Sequence, residues 1–306
     1  MKKLNPLVSV IMPVFNAGDF LQLAIESILN QTYQNFELII IDDASTDKSW
    51  QIISQYKKQN LKKIKVLRLK KGLKKGGDAA ANIGFQLAKG EFVARMDADD
   101  ISMPQRLEKQ VDYLLNHSDV FMVGSNAWVI DKDGEVVGEK NVPLSHQEIY
   151  KNYFIFHPMI HPSIMIRKSG IQRKNLYKIK YSANNDLLTF FELLKTKKFT
   201  NLADKLVCYR IHNKNDSLTN IKEKFFNTLS IRILAVRKFG YKPSVKAIGL
   251  NLVQLLTVAL LPEKLIFLTY MLAKGIYSFR ELGESLGAKL LAAFQPLSLR
   301  LKLKHA

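Results

Sequence analysis

The chain has a single cysteine, Cys208, among 306 residues. One cysteine cannot form an internal disulfide, which excludes a disulfide-rich secreted scaffold and is compatible with a reducing cytosol. Unbroken apolar runs of the ~18–20 residues that a membrane-spanning helix needs are also missing, and no internal repeat is visible. The N-terminal segment is interrupted by Pro6 and Pro13 and lacks the cleavage site of a signal peptide. We therefore expect a cytoplasmic protein.

Acidic residues are few relative to basic ones. The 27 Asp and Glu residues stand against 46 Lys and Arg residues, which leaves a net charge of +19. Such an excess predicts an anionic partner, which can be nucleic acid, an anionic membrane surface or a phosphorylated substrate. Nucleic acid ranks last, because the basic residues are not interleaved with exposed aromatics in a recognisable module. With 47% apolar and 24% charged residues, the composition is that of a globular chain and excludes intrinsic disorder.

Short β-branched runs and amphipathic stretches alternate over the first hundred residues. The strand-like runs cover residues 8–14, 36–41, 64–69 and 91–96, and the helical stretches cover residues 17–30, 46–56 and 79–88. This alternation predicts an α/β fold with a mostly parallel, Rossmann-like sheet. Ligands bind beyond the carboxyl ends of the strands in such a sheet. The polar residues expected there are Asn16, Asp42, Asp43, Asp97, Asp99 and Asp100.

Three carboxylates within four residues, at Asp97, Asp99 and Asp100, follow the fourth predicted strand. They repel one another, and a divalent cation or solvent is the simplest way to neutralise them. Mg²⁺ or Mn²⁺ held by one or two carboxylates shares its other positions with phosphates and water, which suits a nucleoside diphosphate. The same tetrapeptide can also be an exposed acidic turn that caps the helix near Pro104.

Five sequence blocks resemble one known family, the family 2 glycosyltransferases, which are inverting enzymes with a GT-A fold. The blocks are VSVIMPVFN at 8–16, ESILNQTYQNFELIIIDDASTD at 26–47, ANIGFQLAKGEFVARMDADD at 81–100, HPSIMIRKSG at 161–170 and LVCYRIH at 206–212. Each block is weak by itself, but their order and spacing over roughly residues 7–220 make the joint match strong. We expect a GT-A nucleotide-diphospho-sugar transferase domain over residues 1–220.

The resemblance implies roles for individual residues on the donor side. Pro13, Phe15 and Asn16 lie in the loop that packs on the nucleotide base, and Asp43 is the carboxylate that accepts the imide proton of the base. Asp97 and Asp99 correspond to the DxD element, with Asp99, alone or with Asp100, on the Mn²⁺ or Mg²⁺ that bridges the donor diphosphate. His212 matches a family position near the diphosphate or the metal. A lone histidine also fits a structural role.

The phosphate-binding arginine of many relatives is missing. They carry Ala-Arg-Asn where this chain has Ala80, Ala81 and Asn82. Lys75, with Lys74 beside it, is a candidate replacement for the positive charge. The same lysines also belong to a run from residue 57 to residue 75 that contains no acid, and this run is typical of a solvated basic surface.

The general base is a second departure from the family pattern. Relatives place an Asp, often in a Glu-Asp pair, before a helix, and this chain has Asn184, Asn185 and Asp186. In one register Asp186 is the base; in the other the position is Asn184, which cannot accept the proton. We favour Asp186, because the apolar residues after it predict the helix that presents it. An N-cap role for Asp186 remains open. His157 and His161 are expected to be turn and strand-end residues near the acceptor side.

Residues 221–306 differ from the rest of the chain. They contain 14 basic and 4 acidic residues beside the most apolar stretch, 247–261. Such a composition is typical of helices at a membrane surface and equally of a helical hairpin packed on the sheet domain. We expect a helical extension and a peripheral position at the inner face of the cell membrane.

Together these patterns predict a metal-dependent glycosyltransferase that takes a nucleotide-sugar donor and a glycan or lipid-linked acceptor. By analogy with the family, the product is expected to be a bacterial envelope polysaccharide. The alternative is a weakened or non-catalytic protein of the same fold that binds nucleotide sugar at the membrane. The two readings differ in whether bound donor is turned over.

Overall fold

The computed structural model describes residues 5–73, 76–212 and 220–260. Over the first hundred residues it alternates strands and helices in the predicted order. The β-branched runs form buried strands, because such side chains pack well on a pleated surface. The elements are β1 Val8–Val14, α1 Leu21–Leu29, β2 Phe36–Asp42, α2 Ser49–Gln59, β3 Ile64–Arg68, α3 Gly76–Leu87 and β4 Phe92–Arg95.

The remaining elements extend the sheet and cover it with helices. They are β5 Ile101–Ser102, α4 Arg106–Asn116, β6 Val120–Ile130, β7 Val136–Lys140, α5 His146–Asn152, β8 Met165–Arg167, α6 Asn185–Leu193, β9 Lys198–Arg210, α7 Ile221–Phe239 and α8 Val245–Leu260. Two short 3₁₀ helices, His161–Ser163 and Lys168–Gly170, flank β8.

The strands form one sheet in the order β3-β2-β1-β4-β8-β6-β9-β5, with β7 paired to β6. The strands β1 to β4 are parallel to one another, with Val8 opposite Phe36 on one side and Phe92 on the other. β8 is antiparallel to β4 and to β6, whereas β9 runs parallel to β6. The predicted α/β sheet is confirmed, and its second half is mixed.

Each face of the sheet carries its own apolar core, and β1 contributes to both. Alternate residues from Val8 to Val14 pack with α1 and α4, whereas Ile11 packs with α3. This alternation is the two-residue period of a strand. Since β1 is buried along its whole length and lies between β2 and β4, it fixes the positions of the loops that follow all three strands.

The helix α7 packs into the core of the sheet domain. Its residues Ile231, Ala235 and Phe239, spaced four apart on one face, are buried in the same cluster as α6. The buried Arg232 donates to the Ile155 carbonyl at 2.7 Å. The compact unit accordingly extends to Val253, beyond the boundary at residue 220 that the sequence predicts. In the sequence, the many basic residues of α7 make this apolar face hard to recognise.

The helix α8 contains part of the apolar stretch 247–261. Asn251, which interrupts that stretch, is buried and donates to the Phe154 carbonyl at 2.8 Å. Across the described ranges, no helix combines the length and the hydropathy that crossing a membrane requires. The rest of the predicted extension, 261–306, lies outside the described residues.

Candidate active site

The predicted site residues meet where three neighbouring parallel strands end. β1 lies between β2 and β4. The chain moves outward from β1 to β3 on one side and resumes at β4 on the other, so the gap between β1 and β4 is a topological switch point. The residues that follow these strands are Phe15 and Asn16 after β1, Asp43 after β2, and Asp97 and Asp99 after β4.

Asn16 connects the loop after β1 to the loop after β2. Its backbone is left-handed, with φ 50°, a conformation that asparagine tolerates better than most residues. Its backbone N–H donates to Ser45 Oγ at 3.0 Å, and its Oδ1 accepts from the Thr46 N–H at 2.8 Å. Pro13 is buried in β1, whereas the Phe15 ring is 61% exposed. The loop therefore presents one free aromatic face from a rigid base.

The two carboxylates at the end of β2 have different surroundings. Asp42 is fully buried and pairs with Arg68 Nε at 3.2 Å. Asp43 Oδ1 accepts a hydrogen bond from the Leu73 N–H at 2.9 Å. Burial raises the pKa of Asp43. The hydrogen bond from Leu73 opposes this rise, and the charge of Asp42 adds to it. Asp42 thus has a structural partner, and Asp43 lies beside the loop that precedes α3.

Arg95, at the end of β4, holds Asp97. The Arg95 Nε and Nη2 atoms lie 2.9 and 2.8 Å from Asp97 Oδ1. The guanidinium is buried, and Gly77 makes room for it, since a Cβ at Gly77 would lie 2.6 Å from Nη2. The buried Arg95 therefore supplies a positive charge next to Asp97. This cation lies at the end of β4, whereas the arginine that the resemblance leads one to expect would lie on α3. The predicted candidate Lys75 lies outside the described residues.

Asp99 and His212 form a second pair beside Asp97. His212 Nε2 lies 3.0 Å from Asp99 Oδ2, and the imidazole packs on Phe20 with ring centroids 4.8 Å apart. A carboxylate oxygen and an imidazole nitrogen directed at one another form a donor set that suits Mn²⁺ or a similar divalent ion. Over the described ranges no three His, Cys, Asp or Glu residues are grouped closely enough to hold a metal. The fit is that of a site completed by phosphate oxygens and water.

Asp100 fastens β9 to the acidic loop. Its buried Oδ1 accepts from the Arg210 N–H at 2.7 Å, and Arg210 Nε donates to the Asp99 carbonyl at 2.8 Å. Burial, followed by the charges of Asp99 and Asp97, raises the pKa of Asp100 well above its ordinary value. The contacts bring His212, two residues after Arg210, next to Asp99. Asp100 thus holds the loop that carries Asp99 against the end of β9.

Asp186 lies in the first turn of α6 and faces two histidines. Its Oδ2 is 3.2 Å from His157 Nε2 and 3.9 Å from His161 Nδ1. The Met159 N–H donates to His157 Nδ1 at 3.4 Å, which leaves Nε2 to carry the proton toward Asp186. Burial acts to raise the pKa of Asp186, but His157 and then His161 outweigh it, so that this pKa lies well below its usual range.

The neighbours of Asp186 have other contacts. Asn184 Nδ2 donates to the Lys224 carbonyl at 3.0 Å and to Thr228 Oγ1 at 2.8 Å, so this side chain faces α7. Asn185 is buried, and its Oδ1 accepts from two backbone N–H groups of the preceding loop at 2.9 Å. Of the three residues, only Asp186 directs a carboxylate to the histidine pair. The choice of Asp186 as the base remains a prediction, and these contacts give Asn184 and Asn185 structural partners.

Asp78, in the first turn of α3, links the two halves of the site. Its Oδ2 accepts from the Asp186 N–H at 3.1 Å, and its Oδ1 lies 3.9 Å from both Arg95 Nη1 and His161 Nε2. Burial and the nearby charge of Asp186 raise the pKa of Asp78 to about 8, with Arg95 opposing them. Contacts therefore run without interruption from Asp97 through Arg95 and Asp78 to Asp186.

His157 and His161 were expected near the acceptor side as turn and strand-end residues, but not in contact with Asp186, and Asp78 was not expected in this cluster. His161 Nε2 is 2.7 Å from Tyr177 Oη, and burial, followed by the charge of Arg95, lowers the pKa of His161 to about 4, so it is neutral at pH 7. The available signal was the pair of His-Pro steps at 157 and 161, since a proline fixes the backbone beside each imidazole. The position of Asp78 is set by tertiary structure alone.

Residues 9–174 match the family described as Glycosyl transferase family 2. The chain belongs to glycosyltransferase family 2. Among known relatives, the O-antigen biosynthesis glycosyltransferase WbnJ of Escherichia coli is 35% identical over 68% of this chain and 81% of its own length. The UDP-Glc:alpha-D-GlcNAc-diphosphoundecaprenol beta-1,3-glucosyltransferase WfaP of the same species is 30% identical over 71% of this chain and 82% of its own.

Two solved structures share the fold of this family 2 glycosyltransferase. TarS residues 1–349 of S. aureus, in complex with UDP-GlcNAc, superposes with a TM-score of 0.61 at 18% identity, over 80% of this chain and 70% of that one. The mannosyltransferase PcManGT of Pyrobaculum calidifontis, in complex with GDP-Man and Mn²⁺, gives 0.56 at 15% identity, over 95% and 86%. The predicted GT-A fold and glycosyltransferase activity are confirmed. The non-catalytic alternative is not favoured.

Proposed function

We propose that this glycosyltransferase moves a sugar from a nucleoside diphosphate donor to an acceptor hydroxyl with inversion at the anomeric carbon. The observation that carries the proposal is the contact chain Asp97–Arg95–Asp78–Asp186. This chain of contacts connects Asp186, the proposed base, to Asp97, which belongs to the proposed donor side. A base and a donor site held by one network support a direct displacement by the acceptor hydroxyl.

On the donor side, Phe15 and Asn16 beside Pro13 receive the nucleotide base, and Asp43 accepts its imide proton. The exposed Phe15 ring supplies an apolar face. Asp43 Oδ2, the oxygen that does not accept from Leu73, supplies the hydrogen-bond acceptor. Lys75 adds positive charge toward the diphosphate. A planar base needs an apolar face and few polar contacts, so this small set suffices for recognition.

Asp99 and His212, together with Asp97, would hold Mn²⁺ or Mg²⁺ against the donor diphosphate. A bound divalent ion would stabilise the negative charge that develops on the leaving nucleoside diphosphate. Asp97 Oδ1 is occupied by Arg95, so Asp97 contributes its other oxygen or acts through water. The presence of Mn²⁺ with PcManGT supports the choice of ion.

Asp186 takes the proton of the acceptor hydroxyl. The bond from the acceptor oxygen to the anomeric carbon forms as the bond from that carbon to the donor phosphate oxygen breaks, and no covalent sugar–enzyme intermediate is needed. The low pKa of Asp186 keeps it ionised at neutral pH, so the base is always in its active form. His157 Nε2–H holds the carboxylate in one orientation.

The acceptor is a glycan or a lipid-linked sugar of the bacterial cell envelope, and the protein acts in the cytoplasm at the inner face of the membrane. The role of WbnJ in O-antigen biosynthesis and the diphosphoundecaprenol-linked acceptor of WfaP support this class of acceptor. The exposed apolar residues of α8, which include Val245, Leu252 and Leu256, support contact with a bilayer. The proposed role of the protein is therefore envelope polysaccharide synthesis. No nucleic-acid partner is part of this proposal.

A donor screen with matched variants tests the proposal. We expect one nucleotide sugar to raise the Tm with Mn²⁺ but not with EDTA, and Asp99→Ala to abolish that shift. Asp186→Asn should keep donor binding and lose about 10²–10⁴-fold in transfer, whereas Asp112→Asn, an exposed carboxylate on α4, should change neither. Retention at the anomeric carbon of the product, or full transfer by Asp186→Asn, would contradict it.

A further inference from the structure

An open cleft of about 660 Å³ lies between the loop 173–180, α6 and the end of α7. The cations that line it are Arg173, Lys174, Lys178, Lys180 and Lys238. Among the residues that the structure describes, none of those lining the cleft carries a carboxylate. This cleft is separate from the residues that meet at the ends of β1, β2 and β4, and no role in donor binding accounts for its charge.

One nearby acid neutralises part of the charge. Glu192 pairs with Arg173 at 2.6 Å and with Lys178. Across the described ranges, no carboxylate lies within ion-pair distance of Lys174, Lys180 or Lys238, and all three side chains are exposed. The cleft is thus a concentrated positive field with three lysines available to an anion.

Apolar side chains share the cleft with these cations. Ile179, Leu234 and Phe239 are part of the lining, and Lys178 Nζ lies 5.8 Å from the centre of the Phe239 ring. A free phosphate or a nucleoside diphosphate has no long apolar part to cover such a surface. A lipid diphosphate has an apolar chain attached directly to its charged group. The cations of the cleft therefore suit its phosphates, and the apolar side chains suit its lipid.

The cleft is connected to the surroundings of the proposed base through Tyr177. Glu192, which holds two of the cations, lies six residues after Asp186 on α6, roughly 9 Å along the helix axis and about 240° around it, so the two carboxylates lie on different faces of the helix. Tyr177 lines the cleft and also contacts His161 at 2.7 Å. His161 lies in turn 3.9 Å from Asp186, so the cleft and the proposed base share one wall.

We propose that this cleft binds the diphosphate of a lipid-linked acceptor, with Lys174, Lys180 and Lys238 on the phosphates and the apolar wall against the first part of the lipid. The inference rests on the proposed function, since it names how the acceptor of that reaction is held. The other source of the same chemistry is the diphosphate of the nucleotide donor.

Calorimetric titration with farnesyl diphosphate tests the cleft, with EDTA present so that no metal supports binding at the acidic element. The variant Lys174→Gln/Lys238→Gln should weaken binding about tenfold or more, which corresponds to ~1.4 kcal/mol. The control Lys58→Gln/Lys62→Gln removes the same charge from two exposed lysines of the basic run. It should change the affinity less than twofold.

Two further arms separate the sources and the parts of the ligand. Inorganic pyrophosphate should bind more weakly than farnesyl diphosphate, and an excess of UDP in EDTA should not displace farnesyl diphosphate. Equal losses in both double variants, displacement by UDP, or equal affinity for pyrophosphate would overturn the proposal.

Release of nucleoside diphosphate from the donor by the wild-type protein is measured separately. If no donor is turned over while farnesyl diphosphate still binds at the cleft, the proposed function fails and the cleft assignment stands. If donor turnover and inversion are observed while the lysine variants bind farnesyl diphosphate normally, the cleft assignment alone fails.

Discussion

At the scale of single residues, the site depends on how buried charges share their partners. Asp78 and Asp186 are joined by one backbone hydrogen bond; Asp78 lies near Arg95 and His161, and Asp186 lies near His157 and His161. Two buried carboxylates this close favour a state in which one is protonated. Asp78 takes the proton, and Asp186 keeps the charge because its contact with His157 lowers its pKa against the effect of burial. The base and its neighbour are thus assigned different protonation states.

Removing His157 tests this arrangement. We expect His157→Ala to lower kcat about 10-fold or more and to move the acidic limb of the pH profile to higher pH. The reason is that His157 lowers the pKa of Asp186 against the effect of burial, so without it Asp186 becomes protonated at a higher pH. Transfer rates from pH 4.5 to 8, with kcat and KM separated, provide the measurement.

Two further histidine variants complete that experiment. His157→Gln keeps a hydrogen-bond donor near Asp186 and should recover part of kcat. His117→Ala removes an exposed imidazole that stacks on Tyr113 far from the cluster, and should leave the profile unchanged. An unshifted acidic limb in His157→Ala would show that His157 does not act through Asp186.

Asp78 makes a separate prediction for stability. With a folded-state pKa raised to about 8 by burial and by Asp186, Asp78 stays protonated in the folded chain where the unfolded chain has lost its proton. The folded state binds more protons, so the free energy of unfolding should fall as pH rises from about 4 to about 8. Asp78→Asn cannot titrate and should lack this loss. We expect its Tm to exceed that of wild type by about 2–4 °C or more at pH 8.5.

The contrast in Asp78→Asn must depend on pH. At pH 4 the two proteins should have similar Tm values, because Asp78 is protonated in the folded chain and is about half protonated in the unfolded chain, so little of the stability loss has yet occurred. Asp112→Asn provides the control, since it makes the same substitution at an exposed position of α4. A constant Tm difference from pH 4 to pH 8.5 would indicate a packing effect instead.

The sequence predicted part of this residue network. The acidic element, Asp43 and Asp186 follow strands or precede a helix, so local pattern was enough to select them. Asp78, His157 and His161 are separated from Asp186 by 25 residues or more. They meet because α3 and the 3₁₀ segment after α5 both pack against the start of α6, and no local spacing encodes that contact.

At the scale of elements, the strands and helices of the first hundred residues were predictable because each shows one periodicity. Short β-branched runs mark β1 to β4, and apolar residues spaced three or four apart mark the helices between them. The pairing of β6 with β9, which contains three register shifts, was not predictable from the sequence. Parallel pairing of β6 with a strand about 70 residues later depends on tertiary contacts. The packing of α7 on the sheet domain, one of the two alternatives for this segment, also depends on tertiary contacts.

The first turn of α3 controls the position of Arg95. A Cβ at Gly77 would lie 2.6 Å from Arg95 Nη2, so the guanidinium must move in Gly77→Ala. Because that guanidinium holds Asp97 and faces Asp78, we expect kcat/KM to fall about tenfold, with little change in Tm. Alanine at a helical position offsets part of any strain by up to ~1 kcal/mol.

A second glycine is the control for this substitution. Gly249 in α8 has open space at its Cβ position, so Gly249→Ala should raise the Tm and leave transfer unchanged. The measurements are steady-state transfer rates and thermal unfolding of both variants. Wild-type activity in Gly77→Ala would show that the Arg95–Asp97 contact is not needed for catalysis.

At the scale of the whole molecule, the positive charge is divided between surfaces with different uses. The region of the proposed metal and base is rich in carboxylates, whereas the cleft beside α6 and α7 concentrates lysines. The acid-free run and the residues after 221 hold much of the remaining excess. Net charge therefore indicates the environment of the protein, and the site depends on a few buried groups of both signs.

Exposed leucine and valine side chains on α8 give the last prediction. Leu252 is 57% exposed. If this face enters a lipid surface, Leu252→Asp should reduce binding to phosphatidylglycerol vesicles about 10-fold or more, because burying a leucine side chain contributes ~1.5–3 kcal/mol. Leu61→Asp, at a leucine that is 68% exposed near β3, makes the same change in charge and should have little effect. Co-sedimentation at 50 and 300 mM salt measures both. Equal losses in the two variants would assign the binding to net charge, because salt screens both equally.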